Sequence, residues 1–171
     1  MDFLHQEEDE ILPILAGYFN KIVQSLLAKM KSTTLEYLLI VKRGSIFEVL
    51  LKNMHHYSLA VLLIELLEVD IKPNEKVDKP RMAWEQSEES DDQKILKFSK
   101  MQIRQKAVLA EKGAIVANTL ISWLSNLNQD DFERTLNASH ILNEFCNNDQ
   151  CFSILTSDEV LPKLIAVACQ G

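Results

Sequence analysis

Thr33, Ser45 and Ser58 stand 12 and 13 residues apart, and each opens an apolar run. That metre confines the chain to consecutive short helices. Thr33 and Ser45 are each followed three residues later by a glutamate, Glu36 and Glu48. In this pairing the hydroxyl accepts from an orphan first-turn amide while the carboxylate reaches back to the cap residue's own N–H. Gly44 sits where the helix before Ser45 must stop, because glycine enters the left-handed conformation without a steric penalty. Helices of about three turns joined by very short links must fold back on one another. The expected fold is therefore all-α, either a HEAT/armadillo-like α-solenoid or a compact helical array, and such architectures bind more often than they catalyse.

Composition supports this fold class. With 171 residues and 47% hydrophobic content the chain can bury a substantial core in one domain. Its 4 Gly and 4 Pro leave little material for a turn-rich β fold. Val and Ile are interleaved with Leu, Ala, Glu and Lys at helical spacing, without the strict alternation of a strand. A formal charge of -7, from 25 acidic and 18 basic residues, argues against nucleic acid as a partner, since phosphate neutralisation needs a basic surface. Glu7, Glu8, Asp9 and Glu10 occupy the place where a secretory signal carries positive charge. The apolar run Leu59–Leu67 is broken by Glu65 and too short to span a bilayer. Three cysteines, Cys146, Cys151 and Cys169, cannot all pair, and reduced thiols are expected. These features predict a soluble intracellular protein, cytoplasmic with the nucleus as the alternative, and no membrane partner.

Along the chain, Pro13 falls in the first turn of a stripe running Ile11, Leu15, Phe19, Ile22, Leu26 and Met30, widened by Leu12, Val23 and Leu27. Three shorter helices follow at about 34–42, 46–54 and 59–68. The last of these is apolar nearly all round and is expected at the centre of the N-terminal half. From 69 to 93 periodicity stops, with Pro73, Pro80 and five acids between Glu85 and Asp92, so an acidic flexible insertion is expected. A basic stretch follows (Lys94, Lys97, Lys100, Arg104, Lys106, Lys112), with a weak stripe of Ile95, Phe98, Met101 and Val108. It reads as a solvated helix offsetting the acidic insertion, and phosphorylation at Ser87 or Ser90 is the regulatory alternative. Helices resume at about 114–127, after Asp130 or Asp131 (burying Phe132, Ala138, Ile141, Leu142 and Phe145), around 152–155 and at about 160–169.

Catalytic motifs are missing: there is no glycine-rich phosphate loop, nucleophile elbow or H-E-x-x-H pattern. His140, Cys146, Cys151 and Cys169 match no common zinc spacing, and Cys146 continues an apolar stripe where a thiol acts as a small hydrophobe. No metal, cofactor or catalytic residue is assigned. His55 and His56 follow a helix end, where imidazole complements the dipole. Trp123 is expected in the core, and Trp84, in the polar insertion, is a candidate docking anchor. Asn118 and Asn137 lie inside helices, where a side-chain amide competes with the backbone. Each is a candidate for holding an extended partner in an inner groove, the alternative being a buried amide bonding a neighbouring helix or loop.

The order of several blocks resembles the SAPS-domain family. In the first half these are Leu15-Ala16-Gly17-Tyr18-Phe19-Asn20-Lys21-Ile22-Val23, Thr34-Leu35-Glu36-Tyr37-Leu38, Ile46-Phe47-Glu48-Val49-Leu50-Leu51-Lys52-Asn53-Met54 and Ala60-Val61-Leu62-Leu63-Ile64-Glu65-Leu66-Leu67. In the second they are Leu120-Ile121-Ser122-Trp123-Leu124 and Thr135-Leu136-Asn137-Ala138-Ser139-His140-Ile141-Leu142, the latter with the family's Asn-Ala-Ser step. Family members are regulatory subunits of type 2A-like serine/threonine phosphatases of the protein phosphatase 6 class. The resemblance implies a non-enzymatic helical-repeat scaffold that binds a phosphatase catalytic subunit and directs it to substrates. Family proteins are considerably longer, so the 171 residues read as a single SAPS-like domain forming a portion of a larger one. The stretch 69–112 has no counterpart in the family pattern. A helical-repeat adaptor of another pathway is the first competing reading, and an enzyme using His55, His140 and acids from different helices is the second.

Overall fold

The computed structural model describes residues 12–69, 71, 91–125 and 132–169. Trp84, Ser87, Ser90, Asp130, Asp131 and the acids at 7–10 lie outside the described residues, as does most of the 69–93 stretch. Among the described residues the chain is all-α, without a strand. The helices are α1 (Pro13–Lys29), α2 (Lys31–Leu35), α3 (Ser45–Lys52), α4 (Tyr57–Leu67), α5 (Asp91–Ser125), α6 (Phe132–Asn147), α7 (Asp149–Leu155) and α8 (Leu161–Ala168). A π-helical segment, Glu36–Val41, continues α2.

α4 is the hub, as its composition predicts. Leu59, Ala60, Leu62, Leu63, Ile64, Leu66 and Leu67 are all buried, and the helix packs against α1, α3 and α6. Each fully buried leucine contributes about 1.5–3 kcal/mol relative to an exposed one. α5 forms the second spine, lying along the π-helical segment, α3, α6, α7 and α8. One core cluster joins the two halves, running from Ala16 and Phe19 through α4 to Leu120, Ile141, Phe145 and Val160.

Several local expectations are corrected. Thr33 does not cap a helix: the chain breaks only at Met30, and the Thr34 amide and hydroxyl both bond the Met30 carbonyl, at 2.9 and 2.8 Å. Both threonines thus lie inside α2, Thr34 as a back-bonding residue. Ser45 is the first helical residue of α3 rather than its cap, because Gly44 occupies that position at φ 67°. Gly44 does stop the preceding segment, its N–H bonding the Leu38 carbonyl at 3.0 Å across six residues. Glu48, freed from the capping role, pairs at 2.7 Å with Lys112 of α5.

The basic stretch and the following helix are one element. α5 runs unbroken for 35 residues, about 50 Å at the α-helical rise, and begins at Asp91 inside the expected insertion. Gly113 does not interrupt it. A Cβ there would meet Ile154 Cδ1 at 2.5 Å, so this glycine lets α7 approach. At the other edge of the insertion, Ile71 is buried and Val69 packs on the core. Ser99–Ser125 has the length and composition of a membrane-crossing helix, but its apolar face (Leu109, Val116, Ala117, Leu120, Ile121) belongs to the core cluster.

α1 is rotated from its expected pose. Ala16, Phe19, Asn20 and Val23 face the core, whereas Leu15, Ile22, Leu26 and Met30 of the predicted stripe are exposed. A small residue marks the docked side: Ala16 is fully buried, while a Cβ at Gly17 would make only ordinary contact, 3.8 Å from Ser58 Oγ. Phe132 and Cys146, assigned to the core from their spacing, are exposed as well. Trp123 is half-buried at the core margin, with the Arg134 guanidinium 5.4 Å from its ring centre.

Candidate functional site

Asn137 lies on the inward side of α6, next to the turn between α3 and α4. It is 6% exposed, and its Nδ2 donates to the Met54 carbonyl at 2.7 Å and to the His55 carbonyl at 3.4 Å. These carbonyls lie just beyond the end of α3, where backbone acceptors lack intrahelical partners. Asn137 thereby ties two elements 83 residues apart in sequence. Asn118, on α5, is half-buried and bridges toward α8: its Nδ2 donates to Glu159 Oε1 at 3.1 Å, and its Oδ1 accepts from Lys163 Nζ at 2.7 Å. Asn137 is thus a buried amide bonding a neighbouring turn, whereas Asn118 is a half-buried amide paired with exposed side chains. Trp84, the third candidate, is outside the described residues.

Beside Asn137 opens a cavity of about 480 Å³, lined by Pro13, His55, His56, Tyr57, Ser58, Glu133, Leu136 and Asn137. Three helix N-termini meet here: Pro13 starts α1, Tyr57 starts α4, and Glu133 lies in the first turn of α6. Amide dipoles at such ends favour negative charge. Glu133 supplies a carboxylate to its own helix, while α1 and α4 have no acid in their first turns. The His55 and His56 rings contact each other with centroids 4.1 Å apart, and Tyr57 stacks on His140 at 5.8 Å. Among the described residues no three or more His, Cys, Asp or Glu side chains are gathered for a metal ion.

A second polar cluster joins α4, α6 and α7. Burial, then the neighbouring charges of Glu144 and Glu65, raise the Glu68 carboxyl above its ordinary range. Cys151 is fully buried, and burial, with Glu68 adding to it, pushes its thiol up to about 11. Glu65 accepts a 2.5 Å hydrogen bond from Gln24 of α1. All three cysteines are free, Cys146 and Cys169 exposed.

Sequence reasoning missed the cavity because its walls come from four separate elements, none carrying a motif. The only local signal is the four-residue spacing of Phe132, Leu136 and His140; Phe132 is expected in the core, yet it and Leu136 are exposed. No family model, curated protein or solved structure matches the chain.

Proposed function

We propose that this chain is a non-catalytic regulatory subunit, or a portion of one, related to the SAPS-domain proteins. It binds the catalytic subunit of a type 2A-like serine/threonine phosphatase and directs it to substrates. The repeat character belongs to the same reading: consecutive helices packed on one core would make a scaffold of the α-solenoid kind. A cytoplasmic location goes with it, and no cofactor is required.

The observation that carries the reading is the spatial meeting of the two groups of family-like blocks. Ile46–Met54 ends at the carbonyl that Asn137, of the Asn-Ala-Ser step, bonds. The Ala60–Leu67 block is the helix on which α6 packs. Blocks far apart in sequence therefore form one unit, which a shared scaffold requires.

Calorimetric titration of the purified chain with a purified phosphatase 6-class catalytic subunit tests this directly. Saturable binding of one catalytic subunit per chain is expected. If neither this chain nor a longer product of the same gene binds, the phosphatase reading falls and a helical adaptor of another pathway takes its place.

A further inference from the structure

α1 presents an apolar stripe to solvent that the core does not use. Leu15, Tyr18, Ile22 and Leu26 recur at three, four and four residues and are 44, 61, 59 and 42% exposed. At 1.5 Å per residue the stripe is about 17 Å long, three turns of helix. Isolated exposed leucines are ordinary, but a continuous row along a helix whose other side is already docked on α4 is a surface shaped for another helix.

Charge defines the occupant. The chain carries -7 overall, yet Pro13–Lys29 contains no acid, and its charges are Lys21 beside the stripe and Lys29 at its C-terminal end. Glu65 reaches α1 only through Gln24, on the opposite side from the stripe. The surface is thus a local positive, apolar strip on an acidic protein. Pairing two copies through α1 would set two helices against each other whose only charges within Pro13–Lys29 are lysines. An anionic bilayer is also a poor fit: interfacial helices are rich in basic residues on a polar face, whereas the second face of α1 is buried in protein and the whole molecule repels acidic lipid. We propose that the exposed face of α1 is a docking surface for an acidic amphipathic helix of a partner protein. The surface is independent of the phosphatase reading, and either can fail without the other.

The test uses the full chain and a fluorescent synthetic probe, a four-turn helix with a leucine stripe flanked by glutamates, beside a second peptide with the same stripe flanked by lysines. By anisotropy the acidic peptide should bind at least tenfold more tightly than the lysine peptide, and more weakly as salt is raised. Ile22→Ser together with Leu26→Ser, both at exposed positions, should reduce binding at least tenfold while leaving the thermal midpoint in place. Lys21→Glu with Lys29→Glu should invert the preference between the peptides. Equal binding of the two peptides, or binding indifferent to these substitutions, overturns the proposal. So does a concentration-dependent dimer, or binding to phosphatidylserine vesicles, that Ile22→Ser abolishes. A tenfold gain in affinity when Glu7, Glu8, Asp9 and Glu10 are replaced by their amides would assign the surface to the chain's own acidic segment instead.

Discussion

The side-chain amide of Asn137 donates to the Met54 carbonyl at 2.7 Å, closing the end of α3 from a helix 83 residues further on. An acceptor at a buried helix end, once deprived of its donor, loses both the bond and access to water, a penalty of about 1–3 kcal/mol. Asn137→Ala is therefore expected to lower unfolding free energy by that amount in urea titration. Asn118→Ala should cost less than about 1 kcal/mol, because its partners Glu159 and Lys163 reach water once released. Equal losses at the two sites would mean that the Met54 carbonyl finds another donor.

Gly44 is held at φ 67°, and a Cβ there would lie 3.0 Å from Lys112 Cγ and 3.2 Å from Val108 Cγ1. Gly44→Ala should destabilise by about 1–2 kcal/mol from the left-handed backbone alone, with the contacts to α5 adding to it. Gly44→Asn separates the two effects: asparagine tolerates the left-handed region but carries the same Cβ. Thermal melts should rank the chains wild type, then Asn, then Ala. If Asn and Ala lose equally, the contact with α5 dominates and the backbone term is small.

How much of this was readable beforehand differs from element to element. The burial of α4 followed from Leu59–Leu67 being apolar on every side, a property that survives any rotation of the helix. The stop at Gly44 followed from backbone sterics, which are local. The pose of α1 did not follow, because Leu15, Ile22 and Leu26 are as apolar as Phe19 and Val23. Of the two apolar arcs, the one that carries the small, fully buried Ala16 is the docked one. Capping at Thr33 and Ser45 failed because each helix starts from an earlier residue than the motif implies, Met30 and Gly44 holding the cap positions. At the candidate site, two amides inside helices were visible as anomalies, but which acceptors they meet depends on packing across more than forty residues.

The Glu68–Cys151 neighbourhood gives the chain a specific pH signature. Burial and the charges of Glu144 and Glu65 raise the Glu68 carboxyl, so the folded state holds that proton more tightly than the unfolded chain, whose ordinary value is 4.5. Stability from this group is full below the unfolded value and declines as pH rises from there through the raised folded value. Glu68→Gln should match the wild-type midpoint at low pH and exceed it above that window, by a small margin because the carboxyl is only partly buried. The reverse order would mean that ionised Glu68 has a stabilising partner. The adjacent thiol reports on the same environment. With its value pushed up to about 11, Cys151 is protonated at pH 8 and enclosed, so a disulfide-exchange reagent should modify Cys146 and Cys169 quickly and Cys151 only as fast as the fold opens. Since burial is the larger cause and the Glu68 charge the smaller, Glu68→Gln should leave that slow third reaction slow; a fast third thiol in that variant would show that charge, rather than enclosure, protects Cys151.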